Sequence, residues 1–500
     1  MALSATAPAA SRPQSLPHEM PRRGEPSGAS LAAAAMRCLP IGLFCLHLVR
    51  ALWRWREYPY RPYDPDLLAY FVYWKNLVTG IHALRGVPYF TVPKPLLVFL
   101  LGPLDDPRLA FALSASAAAA LGTLVYLIGR RAFGAAAGTV ASLALLLDIQ
   151  GATLTLGSNA DLYLTVFLFA SVYCAMGRRY VASACCLTLA ALVKPVVLPC
   201  ALYFLTVEGR DRRRAAWSSL VPLAALPLTL GSNRVLLGSY FGVERFFTAF
   251  DAMSARAPLA TPELLRVALW LQLVKDTFVS TAPWGFVGLA AWLARDKARL
   301  TSPLILMPLL LLGGYLLLNV KTPFVPFFRF FWPLEVWFLA FVVFGMLETI
   351  RHAIRRPRLV RFLTVAVLLA FLADDLVSRE MRYTRGFADP MEKATEFAIN
   401  AFGTLERERL PGQTVLAPLA FFPHALWALQ DTRVHPEKVV VAEQAADAAS
   451  PAQPDWVLYV PQAFLKPATK EYVDALLASG SYRLVTGAPE AALFTRAEGG

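Results

Sequence analysis

Long apolar runs with few charged residues fill the chain from about residue 33 to about residue 379. Several of these runs approach the roughly 20 residues that an α-helix needs to cross the hydrocarbon core of a bilayer. Over the whole chain, 57% of the residues are hydrophobic and 17% are charged, whereas soluble domains average about 45–50% and about 25%. The chain is therefore predicted to be a polytopic α-helical membrane protein.

Basic residues are concentrated in short clusters between the apolar runs, and their placement predicts the orientation of the chain. Cytoplasmic loops of membrane proteins carry an excess of Lys and Arg. Five clusters recur at every second boundary of the predicted spans: Arg130–Arg131, Arg178–Arg179, Arg210–Arg214, Arg295–Arg299 and Arg351–Arg361. We therefore expect about eleven crossings, with the N-terminus in the cytoplasm and the C-terminus outside. A single long span around Lys194 and Pro195 is the alternative, and it would reverse every later segment.

The net charge of +13 arises largely from these loops, so it does not indicate a nucleic-acid groove. Cysteines and histidines also give no sign of a disulfide or a metal site. The six cysteines lie in apolar segments without a CxxC pair, and the six histidines are scattered. Buried small hydrophobic residues explain the cysteines, and zinc sites need regular ligand spacing.

Composition divides the chain into three predicted parts. Residues 1–32, rich in Ala, Pro and Ser, are predicted to be a disordered cytoplasmic tail. Residues 33–379 form a transmembrane domain with external loops at 54–94, 151–161, 234–277 and 320–331. Residues 380–500 alternate helix-like stretches with strand-like runs near 414–416, 438–441, 456–460 and 482–485, which predicts a small extracytoplasmic α/β domain. This domain either recognises an acceptor or acts as a structural cap.

Three acids beside the predicted external loops are candidates for catalysis. Asp64 and Asp66 follow the first span, and Asp161 opens a later one. A carboxylate at the membrane surface can act as a general base. The alternatives are an ordinary loop residue for the first two and a helix N-terminal acid, favoured by the helix dipole, for Asp161.

Three cations are predicted on the same face as the acids. Lys94 ends the first external loop, Arg329 lies in the last one, and Arg245 lies in the loop 234–277 among other arginines and aromatic residues. Lys and Arg can hold a phosphate group, Arg also through paired hydrogen bonds. The arginine- and aromatic-rich loop is equally typical of an interfacial helix that only anchors the protein to the membrane.

Several short motifs resemble the GT-C superfamily of polyprenyl-phosphate-sugar glycosyltransferases, which includes lipid A aminoarabinose transferases and protein O-mannosyltransferases. Asp66 stands fourteen residues before Gly80, with Asn76-Leu77 between them, and resembles the family's external acid before a helix ending in Asn-Leu-x-x-Gly. The run from Tyr126 to Gly134 resembles the family's Tyr-x-x-Gly-Arg-Arg-Leu-Phe-Gly turn. Lys94-Pro95-Leu96 resembles Lys-Pro-Pro-Leu, without the second proline.

The resemblance implies roles for the candidate residues. Asp66 aligns with the family's base, with Asp64 as the alternative, and Asp161 matches the acid that opens the family's fourth span. Lys94 aligns with the family's donor-phosphate element. Arg329 aligns with a late external Arg-Tyr motif, although the aromatic partner here is Phe. Lys194-Pro195 resembles the family's Lys-Gly-Pro bend and is interpreted as a helix kink.

The sequence therefore predicts an inverting glycosyltransferase in a bacterial-type cytoplasmic membrane, with its active site outside. The expected partners are a polyprenyl-phosphate sugar and a lipid, glycan or protein acceptor. A transporter or lipid flippase and a catalytically silent family member are the alternatives. The sugar and the acceptor stay open. No cofactor is assigned, and a divalent metal ion stays open because its use varies within the superfamily.

Overall fold

The computed structural model describes residues 28–60, 62–81, 93–146, 148–240, 282–295, 300–321, 328–353, 366, 389–433, 435–447, 453–464, 467–489 and 491–497. Within these residues the chain is mainly helical, and a five-stranded sheet lies near its C-terminus. Most of the predicted tail 1–32, the predicted domain boundary near residue 380 and residues 241–277 of the predicted arginine-rich loop lie outside the described residues.

Half of the eight helices before Lys194 begin at a capping side chain. They are α1 (Gly28–Glu57), α2 (Pro65–Thr79), α3 (Pro95–Leu101), α4 (Pro107–Phe133), α5 (Ala135–Leu146), α6 (Ile149–Leu156), α7 (Ala160–Met176) and α8 (Tyr180–Val193). Four of them follow an Asp or Asn whose side chain accepts a hydrogen bond from a backbone N–H of the first turn, namely Asp64, Asp106, Asp148 and Asn159. Such side chains satisfy N–H groups that a helix start leaves without a partner.

The helical geometry is interrupted at Lys194. Its backbone is extended, with φ −146° and ψ 116°, because the next residue is a proline that disfavours the helical conformation before it. Pro195–Thr206 then form a 3-10 helix. The later helices are α9 (Arg212–Ser218), α10 (Ala225–Leu237), α11 (Ala282–Ala294), α12 (Pro303–Lys321) and α13 (Phe328–Ala353).

Helices α4 and α5 cross at two glycines. A Cβ on Gly129 would lie 2.7 Å from the Cα of Gly138, and a Cβ on Gly138 would lie 2.5 Å from the backbone oxygen of Tyr126. No side chain other than hydrogen fits between backbones this close. The run from Tyr126 to Gly134 therefore belongs to a tight helix–helix crossing.

Apolar helices confirm that the chain is a membrane protein. Among the described residues, three helical segments are long and apolar enough to cross a bilayer: Pro107–Phe133, Gly209–Leu237 and Phe331–Ile350. Helices α5 and α6 add a fourth candidate if they are counted as one span bent by 61°. Shorter apolar helices such as Ala160–Met176 and Tyr180–Val193 accompany them. The expected total of about eleven crossings stays a prediction.

The C-terminal part contains α14 (Asp389–Glu408), β1 (Val415–Ala417), α15 (Phe422–Ala428), β2 (Val439–Val441), α16 (Ala442–Asp447), β3 (Trp456–Tyr459), α17 (Pro467–Ala478), β4 (Tyr482–Ala488) and β5 (Ala491–Arg496). The strand order is β2-β1-β3-β5-β4. β1 pairs in parallel with β2 and β3, while β5 is antiparallel to β3 and β4. The four predicted strand-like runs are confirmed as β1 to β4, and β5 is a strand that the sequence analysis does not predict.

Alternation along the strands gives the sheet two buried faces. Val415 and Ala417 of β1 belong to the large core that continues into the membrane part, whereas Leu416 belongs to a second cluster with Val457 and Val473. Successive strand residues point to opposite faces, so one face of the sheet packs towards the helices of the membrane part. The other face is covered by α16 and α17.

Candidate active site

The first acid motif begins helix α2. Asp64 is the N-cap: its backbone is extended, with φ −67° and ψ 135°, and its Oδ1 accepts a 2.9 Å hydrogen bond from the N–H of Asp66. Pro65 takes the first helical position, where its missing N–H costs nothing. Asp66 lies in the first turn, and both acids are half-buried. Asp64 thus caps the start of α2, whereas Asp66 is positioned by its first turn.

Helix α2 places Asp66 beside two tyrosines. Tyr70 and Tyr73 follow it by four and seven residues, so all three lie on one side of the helix. Burial raises the pKa of Tyr73 well above its ordinary value, and the negative charge of Asp66 raises that pKa further. Tyr73 is therefore neutral.

Lys94 contacts the same face of α2. It is the N-cap residue of α3, and its Nζ donates a 2.8 Å hydrogen bond to the hydroxyl of Tyr70. Tyr70 is one helical turn from Asp66, so the structure brings the predicted phosphate-binding lysine towards the predicted base. An ammonium carries three N–H donors, and Tyr70 accepts from one of them.

The first acid motif also meets the turn before α7. A Cβ on Gly157 would lie 3.0 Å from Oδ2 of Asp64, a distance that a real Cβ contact rarely shows. Asp64 therefore rests directly on the backbone of the turn that leads through Asn159 to Asp161. Two predicted external loops, 54–94 and 151–161, meet at this contact.

Asp161 is completely buried and pairs with a lysine. Its N–H donates to Oδ1 of Asn159 at 3.0 Å, and its Oδ1 lies 2.5 Å from Nζ of Lys194. An opposite charge at this distance offsets part of the cost of removing a carboxylate from water. Lys194, predicted only as a kink, is thus also a counter-ion. A lone acid and a lone lysine in separate apolar segments are the sequence signal for such a pair.

Asp148 is a functional candidate that the sequence analysis does not name. As N-cap of α6 it accepts hydrogen bonds from the N–H groups of Gln150 and Gly151, and its Oδ2 also accepts from Nε1 of Trp332 at 2.5 Å. Trp332 lies in the first turns of α13, so this contact fixes the start of α13 beside α6. A cleft next to it is lined by Arg50 and Arg54 of α1.

The side chains of the other two predicted phosphate-binding residues lie outside the described residues. Arg329 belongs to the first turn of α13, three residues before Trp332, and its side chain lies outside the described part of the structure. Arg245 lies within residues 241–281, which are not described either. Among the residues that are described, no three His, Cys, Asp or Glu side chains form a group that could hold a metal ion.

Comparisons with known proteins identify the fold. No protein-family model matches the sequence, and no curated protein does. The structure is similar to the oligosaccharyltransferase AglB from Archaeoglobus fulgidus in complex with an inhibitory peptide and a dolichol-phosphate: the TM-score is 0.52 and the sequence identity 11%, over 93% of this chain and 75% of that one. The chain shares its fold with this oligosaccharyltransferase.

Two further structures of the Archaeoglobus fulgidus oligosaccharyltransferase align over less of the chain. For the apo form the TM-score is 0.49 and the identity 12%, over 78% of this chain and 64% of that one. For the complex with Zn and sulfate the values are 0.46 and 12%, over 77% and 61%. This chain therefore spans less than two thirds of the oligosaccharyltransferase in these two alignments. The fold shared with AglB supports the GT-C resemblance that the sequence motifs indicate.

Proposed function

We propose that this chain is a GT-C membrane glycosyltransferase that moves a sugar from a polyprenyl-phosphate donor to an acceptor outside the cytoplasmic membrane, with inversion at the sugar. The acceptor is a hydroxyl of a lipid, polysaccharide or protein. The observation that carries the proposal is the position of Asp66, half-buried in the first turn of α2 and flanked by a capping acid and a lysine-bound tyrosine. Sugar transfer needs these kinds of groups: a base and a nearby cation.

Asp66 is the proposed general base. Its carboxylate takes the proton from the acceptor hydroxyl while the hydroxyl oxygen bonds to the anomeric carbon of the sugar. The bond from that carbon to the phosphate oxygen breaks, and the electron pair leaves with the polyprenyl phosphate. Asp161 is completely buried, so its proposed contribution runs through the turn that contacts Asp64.

Cations are proposed to hold the phosphate as it leaves. Lys94 is the cation whose position supports this role, since it contacts the Asp66 face of α2. Arg329 and Arg245 complete the proposed set. The AglB structure that contains a dolichol-phosphate and an inhibitory peptide supports a polyprenyl-phosphate donor and makes a peptide one of the acceptors to test.

The external location of the site is part of the proposal and has its own test. A reporter fused after Arg213 should be cytoplasmic, because the cluster Arg210–Arg214 is among the basic loops that define the inner face. A reporter fused after Pro390 should be external. Both fusions on one side would contradict the proposed topology.

Sugar transfer by the Asp66→Asn variant tests the catalytic assignment. Purified protein is given a panel of labelled polyprenyl-phosphate sugars with membrane acceptors. Asn keeps the shape but cannot take a proton, so turnover should fall by a factor of about 10²–10⁴ while donor binding persists. Asp64→Asn is the matched control: Asn caps helices as well as Asp does, so this variant should lose much less activity.

The outcomes separate the competing functions. Full activity in Asp66→Asn and loss of activity in Asp64→Asn would exchange the two roles. Full activity in both the Asp66→Asn and the Asp64→Asn variant would show that neither acid is the base. Lipid or solute movement across vesicles without sugar transfer would favour a flippase or transporter.

A further inference from the structure

The C-terminal domain packs directly on the helix that carries the proposed base. Helix α15 of the domain lies against α2. All seven residues from Leu67 to Tyr73 have no exposed surface, although an amphipathic surface helix would leave one side open to water. Helix α2 is therefore enclosed between the membrane part and the C-terminal domain.

His424 makes the contact nearest to the acids. It is buried in α15, and its Nε2 lies 2.8 Å from the backbone oxygen of Tyr63. A carbonyl only accepts, so Nε2 carries the proton and donates it. Burial lowers the pKa of His424 to about 4, with the backbone hydrogen bond to Tyr63 opposing this shift. The imidazole is therefore neutral at physiological pH.

The hydrogen bond from His424 fixes the peptide unit next to Asp64. The carbonyl of Tyr63 and the N–H of Asp64 belong to the same planar group. Holding that plane sets the backbone orientation of the N-cap, which in turn accepts from the N–H of Asp66. The Tyr63 ring also lies 5.9 Å from the ring of Trp427, in an edge-to-face arrangement.

Asp105 provides a second contact at the other end of α2. Its carboxylate lies 3.2 Å from Nζ of Lys75 in α2 and 3.7 Å from the guanidinium of Arg433, and it accepts a 3.2 Å hydrogen bond from Nε1 of Trp427. Arg433 also donates to the carbonyl of Trp427. Asp105 thus joins the late part of α2 to the C-terminal domain.

We infer that the C-terminal domain positions the acid loop, and that His424 is the positioning residue. The domain holds α2 near both ends, through Tyr63 and through the Lys75–Asp105–Arg433 cluster, and so sets where Asp66 stands relative to the acceptor. The inference rests on the proposed function for its catalytic consequence. It assigns the domain a role distinct from acceptor recognition and from a passive cap.

Two variants of His424 in the full-length protein test this role. His424→Phe keeps a ring but removes the donor, whereas His424→Gln keeps an N–H that can reach the carbonyl. Val473→Ala is the matched control, because Val473 is buried in the second cluster of the same domain, on the other face of its sheet. Amide hydrogen exchange at residues 62–68 is measured with kcat and both KM values.

A positioning role predicts a specific pattern. His424→Phe should lower kcat by roughly ten- to a hundredfold with little change in either KM, as expected for a misplaced base. It should also speed exchange at the start of α2 by roughly fivefold, the equivalent of one neutral hydrogen bond. His424→Gln should keep kcat and the exchange rate at the start of α2 close to their wild-type values. Val473→Ala should change neither quantity, although it weakens the domain.

Other results would overturn the inference. Equal exchange at residues 62–68 in His424→Phe and Val473→Ala would show that the domain does not hold the loop. Unchanged kcat in His424→Phe, alongside an inactive Asp66→Asn variant, would refute the positioning role and leave the proposed function intact. If no donor supports transfer by the wild type, the proposed function fails, and the exchange measurement still decides whether His424 fixes the loop.

Discussion

The ammonium of Lys194 lies 2.5 Å from Oδ1 of Asp161. This contact joins the break after α8 to the first turn of α7, within a part of the chain that is otherwise apolar. Asp161 has no exposed surface, and each charge alone would be costly to bury there. Paired, they hold the turn that supports Asp64.

Breaking this pair should strongly destabilise the protein. Lys194→Met leaves the Asp161 carboxylate buried without its counter-charge, which should cost about 3–5 kcal/mol in thermal unfolding of the detergent-solubilised protein. Adding Asp161→Asn removes the second charge and should recover most of the loss. A double variant no more stable than Lys194→Met would contradict the pairing.

Loss of the Lys94 charge should weaken donor binding. Lys94→Ala should raise the KM for the donor about ten- to a hundredfold, since a hydrogen bond from a charged group contributes roughly 1.5–3 kcal/mol. Arg329→Ala should act in the same direction. Tyr70→Phe is the control, because it removes the hydroxyl that accepts from Lys94 but leaves the charge. Unchanged donor KM in both charge variants would refute the assignment.

A methyl group at Gly157 should disturb Asp64. In Gly157→Ala the new Cβ would lie 3.0 Å from Oδ2 of Asp64 and 3.4 Å from its Cγ, so the side chain must move. Transfer activity should fall roughly tenfold or more, as for other small displacements near a reacting group. Gly231→Ala in α10 is the control, because a Cβ there meets nothing within 4 Å. Equal activities of the two variants would argue against the contact.

The buried imidazole of His424 should make stability depend on pH. Its pKa is lowered to about 4 by burial, from about 6.5 in the unfolded chain. Between these values the unfolded state binds more protons, so stability is full above about pH 6.5 and declines as the pH falls towards 4, by up to about 3 kcal/mol. Unfolding at pH 7 and pH 4.5 measures this loss, and His424→Gln should reduce it. An equal loss in that variant would assign the effect to other groups.

Much of the secondary structure could be predicted from local patterns in the sequence. Short runs rich in β-branched and aromatic residues, such as Trp456–Tyr459, identify β1 to β4, and the Asp-Pro start and Gly80 end delimit α2. Each depends on residues close together in the chain. β5 begins at Ala491, directly after β4 ends at Ala488, so no long break in the sequence marks it as a separate strand.

Contacts between distant segments could not be inferred in the same way. Lys194 and Asp161 are 33 residues apart, and Trp332 and Asp148 are 184 apart. Sequence shows that each of these groups is polar in an apolar setting and needs a partner. Helix packing decides which partner each group meets. The hydrogen bond between His424 and the Tyr63 carbonyl also joins distant segments, so it could not be inferred from the sequence either.

The 3-10 helix after Lys194 changes how far the chain reaches. A 3-10 helix rises about 2.0 Å per residue, against about 1.5 Å in an α-helix. The 12 residues of Pro195–Thr206 therefore extend about 24 Å, where an α-helix of that length would extend about 18 Å. An overwound segment can thus traverse much of the hydrocarbon layer with few residues. An insertion of three residues here would lengthen it by about 6 Å and push its end, with the arginines that follow, away from the membrane boundary.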